Sequence, residues 1–235
     1  MLLTFEKKVV KNQQLRLKYY DEPEKFMDSE IELNACIEDL SVIAASPELY
    51  PVIVEQSSVR TIVGLISHEN TDVCLSVISL LEEMLDANVL ADVPEAASFV
   101  HRFLSEQGLV LVVQNLRRLD DNASEEDAQG VANSLSIVEN LVELVPQVAD
   151  RVCSDTDILK FLIGRIQAKK FDAIQLHASE ILSILLQASQ ENTRRLVTLD
   201  GIDGLDELLQ SIAPYRKRNP ESLDEAVSRL HLHKS

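Results

Sequence analysis

The sequence predicts an all-α protein built from a repeated helical unit. Three observations lead to this prediction. Hydrophobic residues make up 46% of the 235 residues, whereas aromatic residues make up only 4% and Trp is absent. Glycine and proline are rare, at 6 and 7 residues. Apolar residues recur with helical spacing along most of the chain, a pattern typical of helices that pack through aliphatic side chains.

Four segments carry the same apolar stripe. When they are anchored on Val59, Leu109, Leu159 and Ile202, positions i, i+3, i+4 and i+7 are all apolar except Asp206. The anchors lie 50, 50 and 43 residues apart. A polar break and a longer apolar helix follow each of the first three anchors. Short and long helices that alternate at such a period are typical of an armadillo/HEAT-like α-solenoid, which is the predicted fold class.

The predicted domain organisation has three parts. They are a basic N-terminal helix or arm over residues 1–20, about four irregular armadillo-like repeats over 21–213, and a truncated or frayed C-terminal segment over 214–235. Within the repeats we expect one helix over 22–45, an extra helix within 86–107 and a long acidic loop over 120–130. The apolar side of the helix over 22–45 is predicted to consist of Phe26, Ile31, Leu33, Ile37, Leu40 and Ile43.

The formal net charge of −17 is unevenly distributed. Residues 21–211 contain 35 acidic and 12 basic residues, a net charge of −23, whereas basic residues concentrate at 7–18 and 216–218. An acidic body repels a phosphate backbone and attracts basic peptides. We therefore expect no direct nucleic-acid partner. Basic protein segments would suit this charge, but the charge by itself favours a simpler explanation, an acidic surface that keeps the protein soluble.

The cysteines Cys36, Cys74 and Cys153 lie far apart and lack the spacing of a disulfide framework or a zinc site. Each lies in an apolar helical run, so we expect buried, reduced thiols and a reducing compartment. No apolar run reaches the ~18 residues that a membrane span needs, and no signal peptide is predicted.

The stretch LVTLDGIDGLDELLQ, residues 196–210, raises the question of a calcium loop. Asp200, Asp203 and Asp206 are spaced by three, however, and an EF-hand loop needs oxygen ligands at positions 1, 3 and 5. The segment is better explained as the capped start of a helix. No histidine has metal-ligand spacing and no nucleophile or phosphate-binding motif occurs, so we expect no catalytic residue, no cofactor and no metal.

Several stretches resemble one family, and most of them, such as PEKFMDSE and VQNLRRLDD, are not explained by a helical repeat alone. They are LTFEKKVVKNQQLRLK, DEPEKFMDSEIELN, HENTDV, LVVQNLRRLDD, QGVANSLSIVENL, SEILSILLQ and LDGIDGLDELL, followed by RNP. In order, from residue 3 to about 220, they are similar to the spliceosomal beta-catenin-like family, nuclear armadillo proteins distinct from beta-catenin itself. The family continues with further repeats after the position that corresponds to about 220.

The resemblance implies a nuclear armadillo-like superhelix that associates with the spliceosomal nineteen complex. It further implies an adaptor that binds basic nuclear-localisation-type segments of splicing factors, including the Myb-like component of that complex. Because the family's later repeats are missing, we also expect self-association through the truncated C-terminal end.

Four glutamates and one asparagine on the long helices are the predicted partner-binding residues. The set is Glu82, Glu83, Glu139, Asn140 and Glu143. Nuclear-transport receptors line the same helices with Trp and Asn, but here the Trp positions align with two serines, Ser79 and Ser136. The missing Trp ladder counts against the alternative function, a transport-type receptor for basic cargo. The absence of a site motif counts against a third, an enzyme or enzyme subunit.

Overall fold

The computed structural model describes residues 1–168 and 172–199, which fold into helices joined by short turns without any strand. This confirms the predicted all-α class. The chain divides into two compact units, Met1–Ile137 and Val138–Ser235. The fourth predicted stripe, the aspartates at 200–206 and the C-terminal segment lie outside the described residues.

The helices follow one another with few residues between them. They are α1 (Leu2–Lys18), α2 (Met27–Asp39), α3 (Ser41–Ala44), α4 (Tyr50–Glu55), α5 (Ser58–Leu65), α6 (Thr71–Met84), α7 (Ala87–Leu90), α8 (Ala97–Ser105), α9 (Gly108–Asn115), α10 (Glu125–Leu144), α11 (Val148–Asp155), α12 (Ile158–Ile166) and α13 (Ala173–Ala188). Residues 190–199 are also helical. Helix α10 crosses the boundary between the two units.

Two short helices and one long helix recur three times, as α4–α5–α6, α8–α9–α10 and α11–α12–α13. The predicted stripes are the buried faces of the middle helices. All twelve of their members in the described part are buried: Val59, Ile62, Val63, Ile66, Leu109, Val112, Val113, Leu116, Leu159, Leu162, Ile163 and Ile166. Burial of an aliphatic face stabilises each helix where propensity alone would not.

The first two repeats share an unusual turn. Ser57 and Gln107 adopt the left-handed conformation, with φ of 60° and 64°, immediately before α5 and α9. They lie 50 residues apart, which is the spacing of the stripe anchors. Non-glycine residues rarely adopt this conformation, so its recurrence in the same register supports a structural repeat.

The acidic loop predicted over 120–130 is shorter than expected. Helix α10 begins at Glu125 and carries Glu125, Glu126 and Asp127 in its first turn. Carboxylates are favourable there because they face the positive end of the helix dipole. The same charges that suggested a solvated loop therefore stabilise the start of the longest helix described.

The single helix predicted over 22–45 is wrong in two respects. Residues Pro23–Lys25 form a separate 3₁₀ turn, and the rest is divided between α2 and α3. Ile31, which we assigned to the buried side, is 61% exposed. Its periodicity placed it on the same side as the apolar residues of α2. Helix α2 packs against α1 and α6, however, and Leu33 and Ile37 are buried while Ile31 is not.

Helix α1 packs along α2 and also contacts α5. Its own side chains Phe5 and Val9 are buried. The Oγ1 of Thr61 donates a hydrogen bond to the carboxylate of Glu6, at 3.0 Å. Lys11 Nζ lies 2.8 Å from an oxygen of Glu32. The basic N-terminal helix therefore packs against α2 and the first repeat rather than standing apart from them.

Candidate partner-binding surface

The C-terminal turn of α6 carries the first two predicted partner-binding residues. Glu83 is exposed and Glu82 is partly buried. Burial raises the pKa of Glu82, and the charges of Asp86 and Glu83 raise it further. No basic residue occupies this last turn. Negative side chains are unfavourable at the negative end of a helix dipole, so an approaching cation would relieve repulsion here.

The other three predicted residues lie on α10, in the second unit. Glu143 is exposed, whereas Glu139 and Asn140 are partly buried. Glu139 accepts a hydrogen bond from Nε2 of His177 on α13, at 2.9 Å. The structure therefore places each group on a long helix, as predicted, and shows that Glu139 already has one internal partner.

The positions aligned with the transport receptors' Trp residues are polar. Ser79 on α6 and Ser136 on α10 are both only partly buried. Serine side chains have no flat apolar faces, so the aliphatic parts of Lys or Arg cannot stack between them. Any basic segment bound beside Glu83 or Glu143 would be held through charge instead.

A cluster of polar residues joins α1, α2 and the turn between α5 and α6. Arg16 contacts carboxylate oxygens of both Glu30 and Glu69, and its guanidinium carbon lies 4.7 Å from the centre of the Phe26 ring. Asn70 Nδ2 donates to Glu30 at 2.7 Å. Most of the charge of Arg16 is therefore neutralised inside the protein.

The same cluster fixes the protonation of a histidine. The backbone N–H of Asn70 donates to Nδ1 of His68 at 3.1 Å, so Nδ1 is unprotonated. The remaining proton is on Nε2, which lies 3.0 Å from the Oδ1 acceptor of Asn12. Burial lowers the pKa of His68, and the positive charge of Arg16 lowers it further. The neutral imidazole is thus an internal linker between helices.

Neither this cluster nor a groove beside it was predicted from the sequence. The groove lies between α2 and the first turn of α6, with a volume of about 940 Å³. Met27 and Ile31 form its apolar floor and are 53% and 61% exposed. In the sequence they could not be separated from core residues, because both follow the same helical periodicity as the buried side chains.

In the described part of the chain, no three His, Cys, Asp or Glu side chains converge as they would around a metal ion. Cys36, Cys74 and Cys153 are buried and free, which confirms the prediction of buried thiols. None of the described helices combines the length and the apolarity needed to cross a membrane.

A family model described as "Catenin-beta-like, Arm-motif containing nuclear" matches residues 1–227. Two similar relatives, both named Beta-catenin-like protein 1, come from Rattus norvegicus and Homo sapiens. They are 44% and 43% identical over 227 residues, which cover 96% of this chain and 39% of each relative. A "Beta-catenin-like protein 1 homolog" from Schizosaccharomyces pombe is 32% identical over 222 residues, 94% of this chain and 38% of the relative.

The chain thus spans less than two fifths of the length of these relatives. Among solved structures, a crystal structure of an engineered protein aligns with a TM-score of 0.41 and 15% identity, over 95% of this chain and 96% of that one. A score at this level carries no conclusion about the fold. The family description confirms the predicted nuclear localisation. The match over residues 1–227 and the three described helical repeats show that this chain belongs to the catenin-beta-like, Arm-motif containing nuclear family.

Proposed function

We propose that the protein is a non-enzymatic armadillo-like adaptor that associates with the spliceosome and binds basic, nuclear-localisation-type segments of splicing factors. The observation that carries the proposal is an acidic helix end with an exposed glutamate, Glu83, in a member of a nuclear Arm-motif family. Glu82 and Glu83 lie in the last turn of α6, and Asp86 lies two residues beyond its end. The last turn contains no basic residue that would offset these charges.

The proposed partners follow from the resemblance to the spliceosomal family. They are components of the nineteen complex, including its Myb-like protein. Their basic segments complement the net charge of −23 that residues 21–211 carry. Exposed ion pairs contribute only ~0.2–1 kcal/mol each. Several contacts are therefore needed, and the affinity should fall as salt screens them.

The environment of two cysteines and one histidine supports the non-enzymatic part of the proposal. In the described part of the chain, Cys74 and Cys153 are buried with raised thiol pKa values, and the linking histidine His68 has both ring nitrogens engaged. A nucleophile needs access to substrate and an adjacent base. These groups have neither, so they act as structural residues.

The alternative function is a nuclear-transport-type receptor for basic cargo. Both functions use basic segments, but a transport receptor grips the aliphatic stems of Lys and Arg between aromatic side chains. Ser79 and Ser136 stand where that ladder would be. Their small polar side chains favour the adaptor.

A capture experiment from nuclear extract separates the two functions. The immobilised chain should retain nineteen-complex proteins, identified by mass spectrometry, and a Glu82→Lys, Glu83→Lys double variant should retain less of them. A Glu48→Lys, Glu95→Lys variant changes the net charge equally at exposed positions outside the long helices and serves as the control. Recovery of transport factors without splicing proteins would instead support the alternative.

A further inference from the structure

The groove between α2 and α6 is lined by apolar and acidic residues that have no role in the proposed function. Its lining combines an apolar floor with carboxylates: Met27, Ile31 and Ala35 on one side, and Glu24, Glu38 and Asp72 around them. Among residues 1–168 and 172–199, no lysine or arginine lines it. The groove lies at the N-terminal end of α6, whereas Glu82 and Glu83 lie at the C-terminal end. The two surfaces are therefore distinct.

The floor of the groove is a helical stripe that faces water. Met27, Ile31 and Ala35 are spaced by four residues on α2, so they lie on one side of that helix. All three are exposed, and the two larger side chains keep more than half of their surface accessible. Adjacent exposed apolar side chains gain free energy when a partner covers them.

The rim of the groove carries negative charge that the protein does not offset nearby. Glu30 is already engaged by Arg16 and Asn70, so it is not part of this charge. Within the part of the chain that the structure describes, the carboxylate of Glu38 accepts only from the neutral amide of Asn34, at 3.0 Å. Glu24 and Asp72 are exposed. A cationic group beside these three carboxylates would therefore add attraction without displacing an internal ion pair.

We infer that this groove binds a basic protein segment that carries aliphatic residues between its lysines and arginines. The aliphatic side chains lie on Met27 and Ile31, and the cationic side chains lie beside Glu24, Glu38 and Asp72. The volume of about 940 Å³ accommodates a few side chains of such a segment. This inference rests on the proposed function in one respect, the basic character of the partner, and adds to it the place of binding and a requirement for apolar residues.

Two peptides of equal charge test the apolar requirement. One has the sequence Lys-Arg-Lys-Leu-Leu-Lys-Arg-Lys, and in the other serines replace the leucines. In a fluorescence anisotropy titration against the chain, the leucine peptide should bind roughly five- to tenfold tighter, because partial burial of two leucines favours it. Ile31→Ser should abolish this difference.

Matched variants distinguish binding in the groove from effects of surface hydrophobicity or net charge elsewhere on the chain. Val42 is 65% exposed on α3 and does not line the groove, so Val42→Ser should preserve the preference for leucine. Glu38→Lys should weaken both peptides by about threefold or more, while Asp39→Lys, next to it on α2 and outside the groove, should have a much smaller effect. Thermal unfolding of each variant shows whether the fold is retained.

Other outcomes would overturn the inference. Equal affinity of the two peptides, or equal effects of Ile31→Ser and Val42→Ser, rejects the groove. If Glu83→Lys still weakens peptide binding in that case, the proposed function stands. If neither peptide binds even at low salt, both are rejected. If sedimentation shows a dimer that Ile31→Ser dissociates, a second copy of the chain occupies the groove instead.

Discussion

Nε2 of His177 on α13 lies 2.9 Å from Oε2 of Glu139 on α10. This pair joins the long helices of two successive repeats within the second unit. Glu139 is one of the residues predicted to bind a basic partner, and it therefore serves the fold as well as presenting charge. Tests of partner binding must separate these two roles.

Charge reversal at Glu83 should weaken binding of a basic splicing-factor peptide. Glu83 is exposed, so Glu83→Lys removes an attraction and adds a repulsion without disturbing the core. We expect about a three- to tenfold loss of affinity at low salt, which diminishes as salt is added. Isothermal titration calorimetry at two salt concentrations measures both effects. Equal weakening by Glu95→Lys, on an exposed turn, would show that only the net charge matters.

The histidine partner gives a second binding test. His177→Ala leaves the carboxylate of Glu139 without its imidazole donor, so affinity for the same peptide should stay equal or increase. Glu139→Gln keeps the shape of the side chain and should lower affinity. If both variants lower the thermal midpoint but leave peptide affinity unchanged, Glu139 is a structural residue and the second unit's site lies elsewhere.

Two glycines in corresponding helices should respond oppositely to the same substitution. A Cβ on Gly108 would lie 2.3 to 2.6 Å from the ring of Phe103, which is fully buried and cannot move aside. Gly108→Ala should therefore cost ~1–3 kcal/mol. Gly64 in α5 has open space around a Cβ, so Gly64→Ala should stabilise by ~0.5–1 kcal/mol. Urea denaturation measures both, and equal effects would contradict the packing described here.

The repeat architecture could be predicted from the sequence because it depends on local periodicity. Stripes anchored on Val59, Leu109 and Leu159 specify which side of each short helix is buried, whatever covers it. The same reasoning failed at Ile31, because periodicity describes a helix face and not the neighbour that packs on it. It also missed the start of α10, where acidic residues suit a loop and a first helical turn equally well.

The polar contacts could not be predicted, because they join residues that are distant in sequence. His68 meets Asn12 across 56 positions, and His177 meets Glu139 across 38. Each pair depends on how two helices cross, which no short motif records. The apolar periodicity predicted the helices that carry the partner-binding residues. It did not predict the hydrogen bond between Glu139 and His177.

The three cysteines should react slowly in the native protein. Burial raises the thiol pKa of Cys74 to about 11 and that of Cys153 to about 12, and it also raises the pKa of Cys36. The thiolate is the reactive form, so iodoacetamide at pH 8 should label the folded chain far more slowly than the chain in urea. Mass spectrometry of the labelled peptides identifies the sites. Rapid native labelling of any one of them would contradict its burial.

Loss of Arg16 should destabilise the first unit strongly. Glu30 is buried, and without the guanidinium its charge retains only the amide of Asn70. Arg16→Ala should cost ~2–4 kcal/mol, because an uncompensated buried charge remains. Lys18→Ala, at an exposed position of the same helix, should change stability by less than ~0.5 kcal/mol. Adding Glu30→Gln to Arg16→Ala should recover part of the loss in chemical denaturation. No recovery would show that packing on Phe26 dominates.

Stability should decrease as the pH falls below about 6.5, and His68 should account for part of the decrease. Its pKa is lowered in the folded state by burial and by Arg16. The unfolded chain therefore takes up a proton at a higher pH than the folded chain does. The stability that His68 contributes is fully present at a pH above the pKa that His68 has in the unfolded chain. It is lost as the pH falls below that value. One such proton contributes at most ~1.4 kcal/mol per pH unit.

The variant His68→Gln isolates this effect, because glutamine does not titrate. Its free energy of unfolding should be lower at pH 7.5, where the hydrogen bond to Asn12 is weakened, but should decrease less between pH 7 and pH 5 than that of the wild type. His101→Gln is the control, since His101 is exposed on α8. Urea denaturation at several pH values gives the slopes. If His68→Gln and His101→Gln retain the same pH dependence as the wild type, protonation of His68 does not oppose folding, and the neutral tautomer inferred from Asn70 and Asn12 is wrong.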